Sequence, residues 1–297
     1  MTLTLRTALA LLAAIALLGG CERGRVPEAA SGRRAEPGAT EPTQAVARLV
    51  DDLRRNDLAG YARHAVPPAL HAQLEIAWAQ GRTRWPLTEL PLDDRLPGFL
   101  AALATPGSER ALLATYDRQF AGAHGELRSA AATLGLFGVQ YLRAESDYSD
   151  DERNHYVQLV GALSQWGKRA PLGDPKRARS AIPLLAAAAR RTGLAGEGGF
   201  ARTGMTRSLQ RLGPFFASFK QVLVGYGLDV DAALAGAEVT VAEQDGNRAK
   251  VRLRYTLAGQ RIDALVRVER LQGRWYLSDA LRHAQVEARG PAPAATP

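Results

Sequence analysis

The side chains best suited to acid–base or metal chemistry are five histidines, His64, His71, His124, His155 and His283. They are scattered, with no close ligand spacing, and Pro67-Pro68 interrupts the stretch between His64 and His71. Asp147, Ser149 and Asp151 alternate as in a calcium loop. Glu152 stands where the turn glycine belongs, however, and Gln158 stands where a bidentate Glu belongs. Ser149-Asp150-Asp151-Glu152 instead reads as a helix capping box, S-x-x-E. On that helix Asp151 and His155 stand at i, i+4, as an acid–base pair or an exposed charge pair. Gly161 to Lys168 misses the phosphate-loop pattern, with five intervening residues between its glycines and Arg169 in place of Ser/Thr. Gly196-Glu197-Gly198-Gly199 follows an alanine-rich helix rather than a strand, so it reads as a loop. Neither G-x-S-x-G nor H-E-x-x-H occurs. No catalytic residue, metal or cofactor is expected on these grounds.

The remaining chemistry-bearing pattern is cationic. Lys250, Arg252 and Arg254 recur at every second position, on one face of a strand. The same segments carry an apolar set, Val251, Leu253, Tyr255, Ile262, Val266, Val268, Trp275 and Leu277, expected to form core or to line a pocket. The strands that position both sets follow from a period of two after Ala237. With Ala258-Gly259 as a two-residue turn, Leu257 faces Gln260, Tyr255 faces Ile262, Leu253 faces Ala264 and Val251 faces Val266. Arg254 then meets Asp263, and Lys250 meets Arg267 as a like-charge pair unless an anion sits there. Gln272-Gly273 as the next turn places Val268 opposite Leu277. The expectation is an antiparallel four-stranded meander over 236–285 with one greasy face and one wet, basic face. RWYLSDAL is its fourth strand.

Before the meander the period is helical, from Pro42 to Ala235. Val46, Leu49, Val50 and Leu53 share one face, Asn56-Asp57 breaks the run, and Pro67-Pro68 end a second short helix. Residues 82–92 read as an irregular loop, and further helices follow to Gly227. The fold class is α+β, mostly helical before the sheet. Residues 21–41 read as a disordered tether with four Arg and four Glu, and 286–297 as a disordered tail.

The one cysteine among 297 residues is Cys21. It follows Arg6, an unbroken apolar run from Ala8 to Leu18, and Gly19-Gly20. That run is ~16 Å long as a helix, too short for a ~30 Å hydrocarbon core, and has the layout of a secretory signal over 1–20. Leu18-Gly19-Gly20-Cys21 resembles the lipobox of bacterial lipoproteins. The resemblance implies cleavage before Cys21, lipidation of its sulfur, and a membrane anchor for a domain facing the periplasm. Glu22 after the cysteine leans towards the outer membrane. With the thiol used, no disulfide is expected. The net charge of +8 is spread without a run of five like charges, so with a secreted address nucleic acid is not an expected partner.

A second resemblance rests on Gln44–Ala65 and Val239–Ala280, two helices split by Asn56-Asp57 and a closing meander. These resemble small lipoprotein domains of the nuclear-transport-factor-2-like superfamily. The resemblance implies a cone-like α+β fold whose concave sheet face can take a small apolar ligand. The long stretch between the two segments is then either a helical insertion or a helical domain packed on a sheet. The expected function is a non-enzymatic, membrane-anchored envelope module that binds a small apolar ligand, a lipid or a protein. The alternative is an envelope hydrolase whose site is assembled from residues distant in sequence.

Overall fold

The computed structural model describes residues 38–90, 93–196 and 198–289. Cys21 and the segment 1–37 lie outside the described residues, as do 290–297. Among the described residues twelve α-helices precede and follow one four-stranded antiparallel sheet.

Three helices open the described residues: α1 (Pro42–Arg54), α2 (Leu58–Ala65) and α3 (Pro68–Ala79). Asp57 caps α2 by accepting from the Gly60 N–H at 2.7 Å, which is why Asn56-Asp57 divides the run. Next come α4 (Leu96–Ala104), α5 (Ser108–Gln119), α6 (His124–Ala144) and α7 (Asp150–Gly167). Both reciprocal bonds of the capping box between Ser149 and Glu152 are formed at the start of α7. The calcium-loop pattern is therefore absorbed by a helix start. The helical region closes with α8 (Pro175–Thr192), α9 (Gly199–Thr203), α10 (Met205–Gly225) and α11 (Val230–Ala235). Pro183 and Pro214 both lie inside helices.

The sheet runs β1 (Glu238–Asp245), β2 (Arg248–Leu257), β3 (Gln260–Leu271) and β4 (Arg274–Leu277), in that order. Its register is the one read from the sequence, down to Val251↔Val266, Arg254↔Asp263, Lys250↔Arg267 and Val268↔Leu277. Both later turns hold positive φ at both central residues, as two-residue hairpins require: Ala258 and Gly259, then Gln272 and Gly273. Alanine is strained in that conformation, whereas asparagine tolerates it. Ala258→Asn is expected to raise stability by about 0.5–1 kcal/mol in urea unfolding. An unchanged or lowered midpoint would show that the turn is not strained.

Three boundaries differ from the sequence expectations. β4 is only four residues long, and Ser278 starts a twelfth helix, α12 (Ser278–Arg289), where a continued strand was expected. Leu281 and Ala284 are buried there, one helical turn apart, so burial enforces a helical period where alternation would expose them. The expected disordered tail from 286 is therefore helical as far as Arg289. At the other end the expected tether extends too far. Ala39 is buried and forms a β-bridge with Trp275, its carbonyl accepting the Trp275 N–H at 3.0 Å.

Two apolar cores result. One joins α2, α3, α4, α8 and α10 to α12, around Leu74, Trp78, Trp85 and Leu209. The other joins the greasy sheet face to α1, α7, α10 and α11. Helices and sheet thus share both cores.

Candidate functional site

The greasy face is filled by the protein itself. Val251, Leu253, Tyr255, Ile262, Val268 and Trp275 are buried, and Val266 and Leu277 partly so. They pack against Val46 of α1, Leu159 and Trp166 of α7, and Phe219 and Leu223 of α10. This corrects the pocket-lining reading. Helices occupy the space an apolar ligand would need, and of the eight only Val268 borders a described cleft.

The wet face carries the basic set, already charge-compensated. Asp263 takes both Arg252 (Nε–Oδ1, 2.8 Å) and Arg254 (Nε–Oδ2, 3.2 Å). Desolvation opposes ionisation of Asp263, but the two guanidinium groups hold its carboxyl below the usual range. Lys250 and Arg267 face each other as expected. Each has its own acid: Glu243 of β1 at 3.6 Å and Asp279 of α12 at 2.7 Å. Acids of neighbouring elements relieve the like-charge pair. Beside it lies a cleft of about 600 Å³ between the wet face and α12, with Arg248, Lys250, Arg267, Glu269, Asp279 and Arg282 on its walls.

Behind the cleft a polar seam runs between the cores. Asp279 accepts from Arg267 and from the Ser149 hydroxyl at 3.1 Å. Arg282 reaches Glu152 at 3.0 Å and Asp279 at 3.6 Å. His283 bonds Glu89 through Nδ1 at 2.7 Å and turns Nε2 towards Glu152 at 3.7 Å. Glu89 also accepts from the Trp85 indole at 2.9 Å. Tyr148 lies edge-on to His283, with its phenol pushed up to about 12 by burial. Burial raises the Glu152 carboxyl above its ordinary value. It also works against a charged His283, but the Glu89 hydrogen bond and the two carboxylates outweigh it and raise the imidazole. The carboxyl and the imidazole are thus both tuned upward by their surroundings. Neither residue lines either of the two described clefts.

Sequence reading found Glu152 only as a cap and missed Glu89, Asp279 and His283 as partners. Their separations are 194 residues for Glu89–His283 and 130 for Glu152–Arg282, beyond any local pattern. His155 is a second correction. It makes no ion pair with Asp151, and its Nε2 shares a 2.8 Å hydrogen bond with the Tyr255 hydroxyl. His64 bonds the buried Asp52 at 2.6 Å. No group of three or more His, Cys, Asp or Glu among the described residues could hold a metal ion. No described helix is long and apolar enough to cross a membrane.

Away from the sheet, α6 presents a different surface. Its inner face meets α7 through small residues, with Gly135 against Ser164 and Gly138 against Val160. Its outer face leaves Leu136 71 %, Phe137 69 % and Tyr141 63 % exposed. Its one extensive contact with another element is with α7.

The chain matches no protein-family model, no curated protein and no solved structure.

Proposed function

We propose that this chain is a lipid-anchored envelope protein whose folded part is a non-enzymatic accessory module acting through a protein partner. The Leu18–Cys21 stretch supports the anchor and, with Glu22, an outer-membrane, periplasm-facing address. The observation that carries the module reading is the α6 face. Three large hydrophobic side chains stand exposed on one helix, with Phe137 and Tyr141 one turn apart, and exposed apolar surface of this kind marks interaction sites. A small apolar ligand is disfavoured, because the face expected to receive it is packed core. The hydrolase alternative has one observation in its favour, the Glu89–His283–Glu152 cluster gathered from distant residues. Its groups are held by one another and open into no described cleft.

The test combines anchor and partner. Wild type and Cys21→Ser are compared for palmitate labelling and membrane fractionation. A photo-crosslinking residue is placed at Phe137 in intact cells, with Val286, exposed on α12, as control. Labelling that depends on Cys21, and one dominant adduct specific to position 137, are expected. Equal fractionation of the two proteins would sink the anchor. Identical adduct patterns at both positions would sink the α6 interface.

A further inference from the structure

Residues 175–228 hold nine Lys or Arg and a single acid, Glu197, which lies outside the described residues. No run of like charges marks the stretch, yet it carries a net +8, the formal charge of the entire chain. Its two long helices, α8 and α10, pack side by side and run antiparallel. Arg211 of α10 reaches Gly193, just past the end of α8, with Nη1 3.5 Å from where a Cβ would stand. At the opposite end Arg177 of α8 donates to the Gly225 carbonyl of α10. Outward stand Lys176, Arg177, Arg179, Arg190 and Arg191 on α8, and Arg207 and Arg211 on α10, all exposed. Exposed arginines reach across the pair at both ends, so the two outer stripes share one face. Along α8 that face is ~27 Å long. Between its cations lie the small residues Ser180, Pro183 and Ala187.

We propose that the outer face of α8 and α10 docks on an anionic lipid surface, with its arginines against the phosphates. Described acids compensate only part of the charge. Asp174 takes Arg177 at 3.4 Å and lies near Lys176, Asp117 of α5 takes Arg179 at 3.4 Å, and Glu109 of α5 takes Arg190. Glu75 of α3 is used by Thr206, accepting its N–H at 3.1 Å and its hydroxyl. Arg191, Arg207 and Arg211 have no carboxylate within ion-pair reach among the described residues. The helix dipole accounts for Arg190 and Arg191, which close α8, where cations are favoured. It does not account for Arg207, in the first turn of α10, which holds no acid and where the dipole repels a cation. Uncompensated charge of this kind is relieved by an external anion. One small anion cannot span a face of this length, whereas a leaflet of phosphates meets all of it. Guanidinium forks match pairs of phosphate oxygens, and every cation of the face except Lys176 is an arginine. The bilayer is the one that the Leu18–Cys21 anchor would supply, so the proposal borrows its membrane from that reading. At ~3.5 Å per residue, the link 22–37 is long enough to let this face turn to it.

The test mixes the full chain with vesicles of phosphatidylcholine, alone or equimolar with phosphatidylglycerol. A fluorescent residue replaces Gln210, exposed between Arg207 and Arg211, or Thr256, exposed on β2. Energy transfer to a headgroup-labelled lipid reads how near each position lies to the bilayer. Transfer from position 210 should be about fivefold stronger in the anionic vesicles, and about 0.5 M salt should remove the difference. Transfer from position 256 should stay weak in both. Arg191→Glu with Arg207→Glu and Arg211→Glu should abolish the gain at position 210. The change breaks no described ion pair, and Glu suits the first turn of α10, so the unfolding midpoint should hold. Arg191→Gln with Arg211→Gln removes charge without reversing it; it should lose about half of the gain and serves if the triple variant unfolds. Equal transfer from position 210 in the two kinds of vesicle overturns the proposal, and palmitate labelling of the same preparation reads the anchor separately. Equal transfer from positions 210 and 256 in anionic vesicles also overturns it, as does a folded variant that keeps the full gain. Inorganic phosphate that removes the gain where chloride of equal ionic strength does not would assign the arginines to a free anion. Arginine-dependent binding of soluble polyphosphate without any vesicle effect would assign them to a dissolved polyanion. Either result overturns the proposal.

Discussion

Trp78→Ala should be the most damaging single truncation in the helical core, costing about 3–5 kcal/mol. Trp78 is 1 % exposed at the end of α3. Its ring lies 6.2 Å from that of Phe200, and its indole N–H donates to the Phe200 carbonyl at 3.0 Å. It thereby fixes the short helix α9, which follows the glycine-containing loop, against α3. Truncation removes a large buried surface and leaves a cavity that rigid neighbours cannot fill. Trp78→Phe separates the two contributions. It keeps much of the apolar volume, and loses the indole bond together with the smaller volume of one ring. The Phe200 carbonyl retains the Ser208 hydroxyl at 3.3 Å and the Gly204 N–H at 3.1 Å. Its cost should therefore be about 1 kcal/mol. Urea unfolding followed by circular dichroism reads both. Equal losses in the two variants would show that the hydrogen bond, rather than the packing, holds α9.

A second large effect should appear in acid. Burial between α7 and β2 lowers the His155 imidazole to about 4, against about 6.5 in the unfolded chain. The unfolded state therefore binds the extra proton first as pH falls. The contribution of His155 is fully present above about pH 6.5 and is lost as pH drops towards 4, by about 2–3 kcal/mol. His283 titrates the other way. Its folded value is raised, so its contribution is complete below the unfolded value and fades as pH rises through the folded one. It adds no slope in the acid window. His155→Gln keeps a polar partner for the Tyr255 hydroxyl and removes the titration. Unfolding midpoints at pH 7 and pH 4.5 should fall much further for wild type than for this variant. Parallel losses in the two proteins would show that His155 is not the group responsible.

Much of the fold was legible because local rules carry it. A period of two with positive-φ turns at Ala258-Gly259 and Gln272-Gly273 leaves one register that keeps the apolar set together, and the sheet has that register. Ser149 and Glu152 announce the start of α7 because capping is satisfied within four residues. Local patterns were less reliable where burial decides. Alternation near Tyr276 extends into SDAL, but Leu281 and Ala284 are drawn to the first core as a helix.

The sequence by itself determined the α+β class, the strand register, the helix breaks at Asn56-Asp57 and Pro67-Pro68, and the residues that populate each sheet face. Those features depend on steric and hydrogen-bonding preferences of residues close along the chain. Only the tertiary structure decided that the greasy face is core, that Glu89, Glu152 and His283 converge, and that His155 meets Tyr255 rather than Asp151. It also decided which sheet edges are closed. These outcomes depend on how helices settle on the sheet, and the packing of many weak contacts fixes that placement with no short motif to record it.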